Sequence, residues 1–248
     1  MKNSKKLFKI SHKLHKWLML FVGTQFVIWS VTGAYMVFFD IDYIHGDSLI
    51  VNHQTTINSE QLTYPTQKLF QQYPQAKNLS VGVLINREVY RFSVAEHAYT
   101  VDAATGELLS PLSEPLAIAV AKHLYSGNGD VINAELITEN PPFELHAKHL
   151  PTWRIDFDNI GSPALYVSAN SGEVVTKRHD FWRLFDWMFR FHVMDYNDGE
   201  NINNWLLLII ALLALLAALS GLVLTYFKVL KTILINRSKS KILNSGTQ

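Results

Sequence analysis

Two long, uncharged apolar runs constrain the fold of this chain more than any other feature. The first, WLMLFVGTQFVIWSVTGAYMVFF, covers residues 17–39, and the second, WLLLIIALLALLAALSGLVLTYF, covers residues 205–227. Because a helix rises about 1.5 Å per residue, runs of this length cross a hydrocarbon core of roughly 30 Å. Both are therefore predicted to be transmembrane helices. The first is too long for the apolar part of a signal peptide, and no small-residue cleavage site follows it.

Basic residues are concentrated just outside the two runs. Residues 1–16 contain six lysines and residues 228–248 contain five basic residues, and neither segment contains an acidic one. Residues 17–227 contain 11 basic and 21 acidic residues, a net charge of −10. Since loops rich in Lys and Arg remain in the cytoplasm, both tails are predicted to be cytoplasmic. Residues 40–203 are then expected in the periplasm, with the chain in a bacterial inner membrane and no role for nucleic acid.

The chain contains no cysteine, and this limits its chemistry. Disulfides, thiolate metal sites, Fe–S clusters and a cysteine nucleophile are excluded together. A metal or redox cofactor would therefore depend on the ten histidines. The sequence also lacks the motifs of dinucleotide sites, nucleotide sites, serine nucleophile elbows and zinc proteases, so no catalytic residue is predicted.

The segment between the apolar runs contains a duplicated module. The pattern V-x-A-x-[TS]-G-E occurs in AYTVDAATGELL (98–109) and again in ALYVSANSGEVV (164–175). Helix-like and strand-like stretches precede both in the same order. The two copies cover about residues 59–109 and 113–175, inside a domain predicted to span 40–180.

Each copy is predicted to fold as a helix followed by two antiparallel strands. Ser59 and Ser113 each precede a helical pattern and suit the position of a helix N-cap. The strand-like stretches alternate apolar and polar residues, as in a sheet that is covered on one face. Gly106 and Gly172 lie where the turn needs a positive φ.

The module resembles the PepSY domain, and its flanks resemble the PepSY-associated transmembrane family, which includes iron-regulated membrane proteins and ferric-siderophore reductases. The most specific stretches are HKLHKWLMLFVGTQFVIWSVTGAYMVF (12–38) and FHVMDYNDGENINNWLLLIIALLALLAALSGLVL (191–224). The expected fold is an α+β membrane protein, with two transmembrane helices flanking a periplasmic domain of two PepSY-like helix-plus-antiparallel-sheet repeats. The resemblance to the reductases implies haem b held by histidines near the membrane, and electron transfer across the inner membrane.

The residues before the second run predict an amphipathic helix, 181–197, at the outer membrane interface. One stripe of this helix contains Trp182, Phe185, Phe189, His192 and Tyr196. A neutral imidazole in an aromatic wall suits haem iron, so His192 is a candidate ligand with the ring side chains Trp182, Phe189 and Tyr196 around the cofactor. The alternative is an interfacial histidine bonded to a carbonyl or to Asp195.

His12 and His15 lie at the start of the first run, three residues apart and thus on one helix face. The resemblance makes His15 a second candidate haem ligand, whereas His12 suits a basic tail that faces lipid headgroups. The predicted contact face with another helix or a flat cofactor contains His15, Met19, Val22, Phe26, Trp29 and Gly33.

His15 and His192 are expected at opposite membrane faces, roughly 30 Å apart, so they cannot ligate one iron. Two haems would each need a second ligand. For the outer site, His45 and His179 are the candidates within the chain; His45 is the first choice and a second copy of the chain is the runner-up. The second ligand of the inner site would have to come from another copy, which predicts a homodimer or a larger redox complex. A single outer haem is the remaining possibility.

Two functions of different classes remain open. One is a haem-binding electron-transfer protein, acting as a reductase or as part of one, that serves a periplasmic acceptor such as ferric iron, a siderophore or a flavoprotein. The other is a non-catalytic PepSY membrane adaptor whose acidic outer domain binds, inhibits or assembles a partner. A role in assembling a larger membrane complex is a weaker third reading.

Overall fold

The structure is a computed structural model, and it divides the chain into two compact units. The described residues are 2–53, 56–197, 199, 201–231 and 233. One unit combines Met1–Phe38 with Asp186–Gln248 and is called the helical unit. The other, Phe39–Phe185, is called the sheet unit.

The helical unit contains two helices long and apolar enough to cross a membrane, with the spans Lys5–Phe38 and Trp205–Leu230. Helix α1 covers Lys2–Phe38, so the predicted N-terminal tail continues the same helix. The second span begins where the Asn204 side chain accepts a hydrogen bond from the Leu207 backbone at 2.8 Å, which satisfies a donor left free at a helix start.

The second span ends in an irregular turn. Its α-helical part covers Trp205–Thr225, and one π-helical turn, Tyr226–Leu230, follows it. Only some of the basic residues predicted for the C-terminal tail lie in the described part of the chain. Lys228 and Lys231 lie in the described part, whereas Arg237, Lys239 and Lys241 lie outside the described residues.

The two spans contact each other, and the face predicted for α1 is confirmed in part, because Val22 is buried and His15 bonds to Ala217 and Ser220 of the second span. The buried residues of the two helices are Ser11, Val22, Gln25, Thr32, Ala214, Ala217 and Ser220. Met19 and Phe26, which were expected in the contact, are exposed. Lipid tails are as apolar as these side chains, so burying them gains little, and helices in a bilayer associate through close packing and polar contacts instead.

The sheet unit contains two antiparallel sheets. The first has strands β1 (Lys77–Leu84), β2 (Arg87–Val94) and β3 (His97–Asp102) in that order. The second has strands β4 (Val131–Ile137), β5 (Thr152–Phe157), β6 (Ala164–Ser168) and β7 (Val174–Arg178) in that order. The helices of this unit are α2 (Ile41–Ile44), α3 (Thr66–Gln72) and α4 (Glu114–Leu124).

Both copies of the duplicated module contain a helix followed by an antiparallel sheet, as the repeat predicted. Each sheet, however, begins with a strand that the pattern did not reveal, β1 in the first copy and β4 in the second. These are edge strands, and most of their residues are exposed or half-buried. Because neither face is consistently covered, their sequences lack the clear alternation that marks a half-buried strand.

The turn and cap predictions had mixed outcomes. Gly106 and Gly172 have φ angles of 79° and 70°, which confirms the predicted turns. Ser113 occupies the N-cap position of α4, although its side chain makes no capping hydrogen bond. The prediction for Ser59 is wrong, because this residue begins a short 3-10 helix and α3 starts only after Pro65. A proline disfavours helical backbone in the residue before it, so the α-helix cannot extend back to Ser59.

The two copies share a core. Leu84 and Val89 of the first copy pack in one buried cluster with Val120, Ile155 and Leu165 of the second. A separate cluster belongs to the first copy alone and contains Leu69, Tyr90, Phe92, Val101 and Ala103. Each fully buried aliphatic or aromatic side chain contributes roughly 1.5–3 kcal/mol, so the shared cluster joins the copies into one body.

Helix α5, Asp180–Val193, is shorter than the predicted interfacial helix 181–197. It ends before Met194, which has a φ of 57°. Beyond it, the Asp195 carboxylate accepts hydrogen bonds from the backbone N–H groups of Asn197 and Asn201. Such local side-chain bonds compete with a helix, and Tyr196 therefore does not continue the predicted helical stripe.

Candidate functional site

His192 lies at the end of α5, and its ring packs against α1. Its Nδ1 atom is 2.9 Å from Thr32 Oγ1, and its backbone carbonyl accepts a hydrogen bond from Trp29 Nε1 at 2.8 Å. The ring edge also faces Gly33, where an added Cβ would lie 3.5 Å from His192 Cε1. The imidazole is thus held half-buried against one turn of α1.

The hydrogen bonds of Thr32 determine which nitrogen of His192 carries the proton. The Thr32 hydroxyl donates to the Ile28 carbonyl at 2.8 Å, and a hydroxyl has only one proton. With that proton assigned to the Ile28 carbonyl, the oxygen accepts from His192, and we assign Nδ1 as the donor. In the neutral ring, Nε2 then carries the lone pair, and this atom has no hydrogen-bond partner among the described residues.

His15 is held in the same way against the second span. Its Nδ1 atom is 2.9 Å from the Ala217 carbonyl oxygen and 3.1 Å from Ser220 Oγ. A carbonyl can only accept, and the Ser220 hydroxyl donates to the same Ala217 oxygen at 2.8 Å. Nδ1 of His15 is therefore also a donor, and within the described part of the chain no hydrogen bond is made to its Nε2.

The two histidine contacts share one local design, which we call a histidine seat. The first seat is Thr32–Gly33 and the second is Ser220–Gly221. In each, a hydroxyl that donates to its own helix accepts the histidine Nδ1–H, and the next residue is a glycine. Histidines that bind a metal usually donate one ring N–H to such a partner and present the other nitrogen to the metal. Both seats therefore leave a nitrogen of the kind that metal ligation requires.

The seats lie inside the apolar runs, although the histidines themselves lie at or beyond the ends. Gly33 is six residues before Phe39, and Gly221 is six residues before Phe227, which is about 9 Å inward in both cases. Along α1, His15 and Thr32 are 17 residues apart, or about 25 Å. This separation agrees with the expectation that the two histidines cannot share one iron.

The other predicted ligands have different surroundings. His45 is exposed in the sheet unit and ends α2, with its backbone N–H bonded to the Ile41 carbonyl. His179 is buried, and both its ring nitrogens have partners. Nε2 is 2.8 Å from the Tyr43 carbonyl and Nδ1 accepts from the Trp182 backbone N–H at 3.3 Å. His179 therefore lacks a free lone pair, whereas a pairing of His45 with His192 stays a prediction.

The predicted aromatic wall is only partly gathered around His192. Trp182 lies in the sheet unit, where the Arg178 guanidinium stacks 3.9 Å from its ring centroid. Phe189 is half-buried in the helical unit. Tyr196 is exposed, and its nearest aromatic neighbour is Phe191, with ring centroids 6.2 Å apart. The aromatic residue that does contact His192 is Trp29 of α1, at a centroid distance of 6.4 Å.

Sequence reasoning missed the residues that hold the histidines. Thr32 and Ser220 are polar residues within apolar runs, and each precedes a glycine; this dipeptide was the available signal. Gln25 is a further buried polar residue of the first run, 8% exposed, and its Nε2 has no partner among the described residues. Polar groups inside a membrane span normally mark a functional or contact face. Thr32, Ser220 and Gln25 are all buried, as expected for such a face. No cluster of three or more His, Cys, Asp or Glu side chains that could hold a metal occurs in the described ranges.

The sheet unit contains a buried ion-pair network around Glu144. Its carboxylate accepts hydrogen bonds from Arg183 Nε at 2.9 Å and from the Tyr166 hydroxyl, and Arg154 lies 4.0 Å away. Burial is the largest influence on the pKa of Glu144 and raises it, but these hydrogen bonds and positive charges together hold the pKa below its ordinary value. The network ties the first turn of α5 to the sheet unit and has no free group for chemistry.

Comparison with known proteins places the chain in a family. The family model described as the PepSY-associated TM region matches residues 12–245, and the chain belongs to this family. The matched region includes the first span from residue 12 onward, the whole second span, both seats and the whole sheet unit. No curated protein and no solved structure matches the chain. The chain is thus a membrane protein of the PepSY-associated group, with two membrane-spanning helices and a sheet-containing region between them.

Proposed function

We propose that this member of the PepSY-associated family is a haem b-binding electron-transfer protein. The observation that carries the proposal is the pair of histidine seats, which leave Nε2 of His15 and of His192 available as iron ligands. Thr32 and Ser220 hold the two rings in one orientation and one tautomer. Because Gly33 and Gly221 have no side chain, they leave space on the helix beside each ring, and a flat cofactor can approach closely. Haem, when bound, supplies the one-electron chemistry, and the protein positions and tunes it.

We place the protein in a bacterial inner membrane with both termini in the cytoplasm and the sheet unit in the periplasm. The support is the distribution of charge, because residues 1–16 and 228–248 are basic and contain no acidic residue, whereas the chain between them carries a net negative charge. Electrons would then pass from the membrane or the cytoplasm to a periplasmic acceptor, such as ferric iron, a siderophore or a flavoprotein. His15 and Thr32, which lie about 25 Å apart along α1, place the two proposed haems at separate depths and divide that path into two stages.

Each iron needs a second axial ligand, and a second copy of the chain is the simplest source. Only one seated histidine lies at each end of the described helical unit. His12 is exposed and lies on the same helix face as His15, so the two cannot approach an iron from opposite sides. Two copies related by a two-fold axis along the membrane normal would supply two His15 side chains to one haem and two His192 side chains to the other. For the outer haem, His45 is the alternative ligand.

A visible spectrum of the purified protein in detergent tests the proposal. We expect a Soret band, with sharp α and β bands after dithionite reduction. A colourless preparation from haem-replete cells would refute the function. His192→Ala should remove haem from the outer site, and His15→Ala from the inner one. His97→Ala, an exposed histidine of the sheet unit, is the matched control and should leave the haem content unchanged.

The sheet unit carries a feature that favours the second function, a membrane adaptor that binds a partner. A cleft of about 380 Å³ lies among β1, α4 and the turn before β7, with His53, Arg91, His123 and Glu173 among mostly aliphatic lining residues. A cleft with a few polar groups in an apolar lining is typical of a binding site. A colourless protein that still bound a periplasmic partner through this cleft would support the adaptor function.

A further inference from the structure

The end of the helical unit that contains the start of α1 and the end of the second span carries a basic cavity. This cavity, about 360 Å³ in volume, is lined by Phe8, Lys9 and His12 of α1 and by Lys228 of the π-helical turn. Three of its four lining side chains have nitrogen donors, and they come from both spans. We call it the basic cavity.

Phe8 forms the floor of the basic cavity and is held there by aromatic contacts. Phe8 contacts Phe227 edge to face, with ring centroids 6.0 Å apart, and stacks with His12 at 6.2 Å. Both phenylalanines are half-buried, whereas Lys9, His12 and Lys228 are exposed. The Lys231 ammonium lies 5.5 Å from the Phe227 ring centroid and adds a further charge beside the floor. The basic cavity therefore has an apolar floor surrounded by a rim of basic side chains.

The two chain segments that supply Lys9, His12 and Lys228 are rich in basic residues. Residues 1–16 and 228–248 contain no Asp or Glu. The basic cavity also lies at a defined depth, because Lys228 directly follows Phe227, the last residue of the second apolar run. Phospholipid phosphates lie at this boundary between hydrocarbon and water, just outside the core of roughly 30 Å.

We propose that the basic cavity binds the phosphate group of an anionic membrane phospholipid. Lys9 and Lys228 contact the phosphate from the two spans, His12 adds a third donor, and Phe8, which packs against Phe227, contacts the start of the acyl chains. A lipid bound there bridges the two spans at one end. Lipid phosphate and free phosphate offer the same group to the lysines, but the aromatic floor favours the lipid. This binding is independent of haem.

Thermal unfolding of the full-length protein in a neutral detergent tests this site. The protein is titrated with dihexanoyl-phosphatidylglycerol, with dihexanoyl-phosphatidylcholine and with inorganic phosphate. We expect the phosphatidylglycerol to raise the melting temperature at the lowest concentration. The double variant Lys9→Gln with Lys228→Gln should weaken its apparent affinity by roughly 30-fold, since each basic residue near a surface contributes a factor of about five.

The matched control is Lys5→Gln with Lys13→Gln, which removes the same charge from α1 outside the basic cavity. It should change the affinity by less than about threefold. An equal loss in both double variants would mean diffuse attraction and would overturn the site. Equal stabilisation by phosphatidylcholine, or by inorganic phosphate alone, would overturn the lipid assignment. Because none of these measurements involves haem, they can succeed or fail independently of the proposed function.

Discussion

Replacing Thr32 by valine tests whether the first seat sets the tautomer of His192. Valine has nearly the shape of threonine, so the substitution creates no cavity at a side chain that is 3% exposed. It removes the oxygen that lies 2.9 Å from His192 Nδ1. The bond from the Thr32 hydroxyl to the Ile28 carbonyl disappears as well, but that carbonyl is part of α1 and keeps its helical surroundings.

The size of the effect follows from the buried donor that is left behind. A fully buried N–H that loses its acceptor costs about 1–3 kcal/mol, and this range is the upper limit for the half-buried ring of His192. The ring can avoid this cost by turning, which changes its orientation toward a cofactor. It can also move its proton to Nε2, and the nitrogen needed for iron then has no free lone pair. Loss of such a supporting bond weakens metal binding by about 10–100-fold. Thr32→Ser keeps the hydroxyl, removes one methyl group and should retain the wild-type tautomer.

Histidine tautomers can be read without any cofactor. In ¹⁵N-histidine-labelled protein, the two ring nitrogens have well-separated chemical shifts when one is protonated and the other is not. The His192 signals are identified by their loss in His192→Gln. We expect Nδ1–H in the wild type and in Thr32→Ser, and a mixture or the opposite tautomer in Thr32→Val. An Nε2–H tautomer in the wild type, or no change in Thr32→Val, would refute the reasoning.

Two further predictions concern the second seat and the sheet unit. Gly221→Ala should displace His15, because the added Cβ would lie 3.1 Å from the His15 ring. Gly33→Ala should leave the first seat intact, because its added Cβ would lie 3.5 Å from the His192 ring, an ordinary contact distance. The ¹⁵N chemical shifts of the histidine ring in each variant show whether that ring has moved. Glu144→Ala should destabilise the sheet unit by about 3–5 kcal/mol, measured by urea unfolding, because Arg183 loses its buried partner. Since the pKa of Glu144 is lowered in the folded state, its contribution is complete above the ordinary value of 4.5 and is lost as pH falls through the folded-state pKa. Glu144→Gln should therefore be less sensitive than the wild type below about pH 4.5, and equal acid sensitivity would contradict this linkage.

The sequence predicted those parts of the fold in which one residue pattern determines one structure. Two uncharged runs predicted the spans, and a repeated turn sequence predicted the two modules with their positive-φ residues Gly106 and Gly172. The edge strands β1 and β4 were missed, because partial exposure on both faces removes the alternation that identifies a strand. The end of α5 was missed because competition from the Asp195 side chain depends on where that carboxylate points.

The candidate site was predicted less completely, because half of it belongs to the opposite helix. His15 and His192 could be selected from their own surroundings, but Thr32 and Ser220 gain their role only when the spans pair. The same limit explains why the contact face predicted for α1 is confirmed only in part. Hydrophobic periodicity identifies the buried side of a helix in water, whereas in lipid the apolar side chains such as Phe26 stay outside.

The pairing of the spans also explains how the chain can bring imidazoles into the bilayer. A histidine in the middle of an apolar run would have to cross the hydrocarbon as its helix inserts, at a cost in free energy. Here each histidine lies at or beyond the end of a run and reaches a partner about 9 Å inside the other helix. Insertion of each span therefore does not require burial of its own histidine.

The ring enters the low-dielectric region only when the helices associate, and then its Nδ1–H already has an acceptor, which removes the penalty for a buried unpaired donor. Loss of one seat should consequently impair association of the helices more than insertion of the spans.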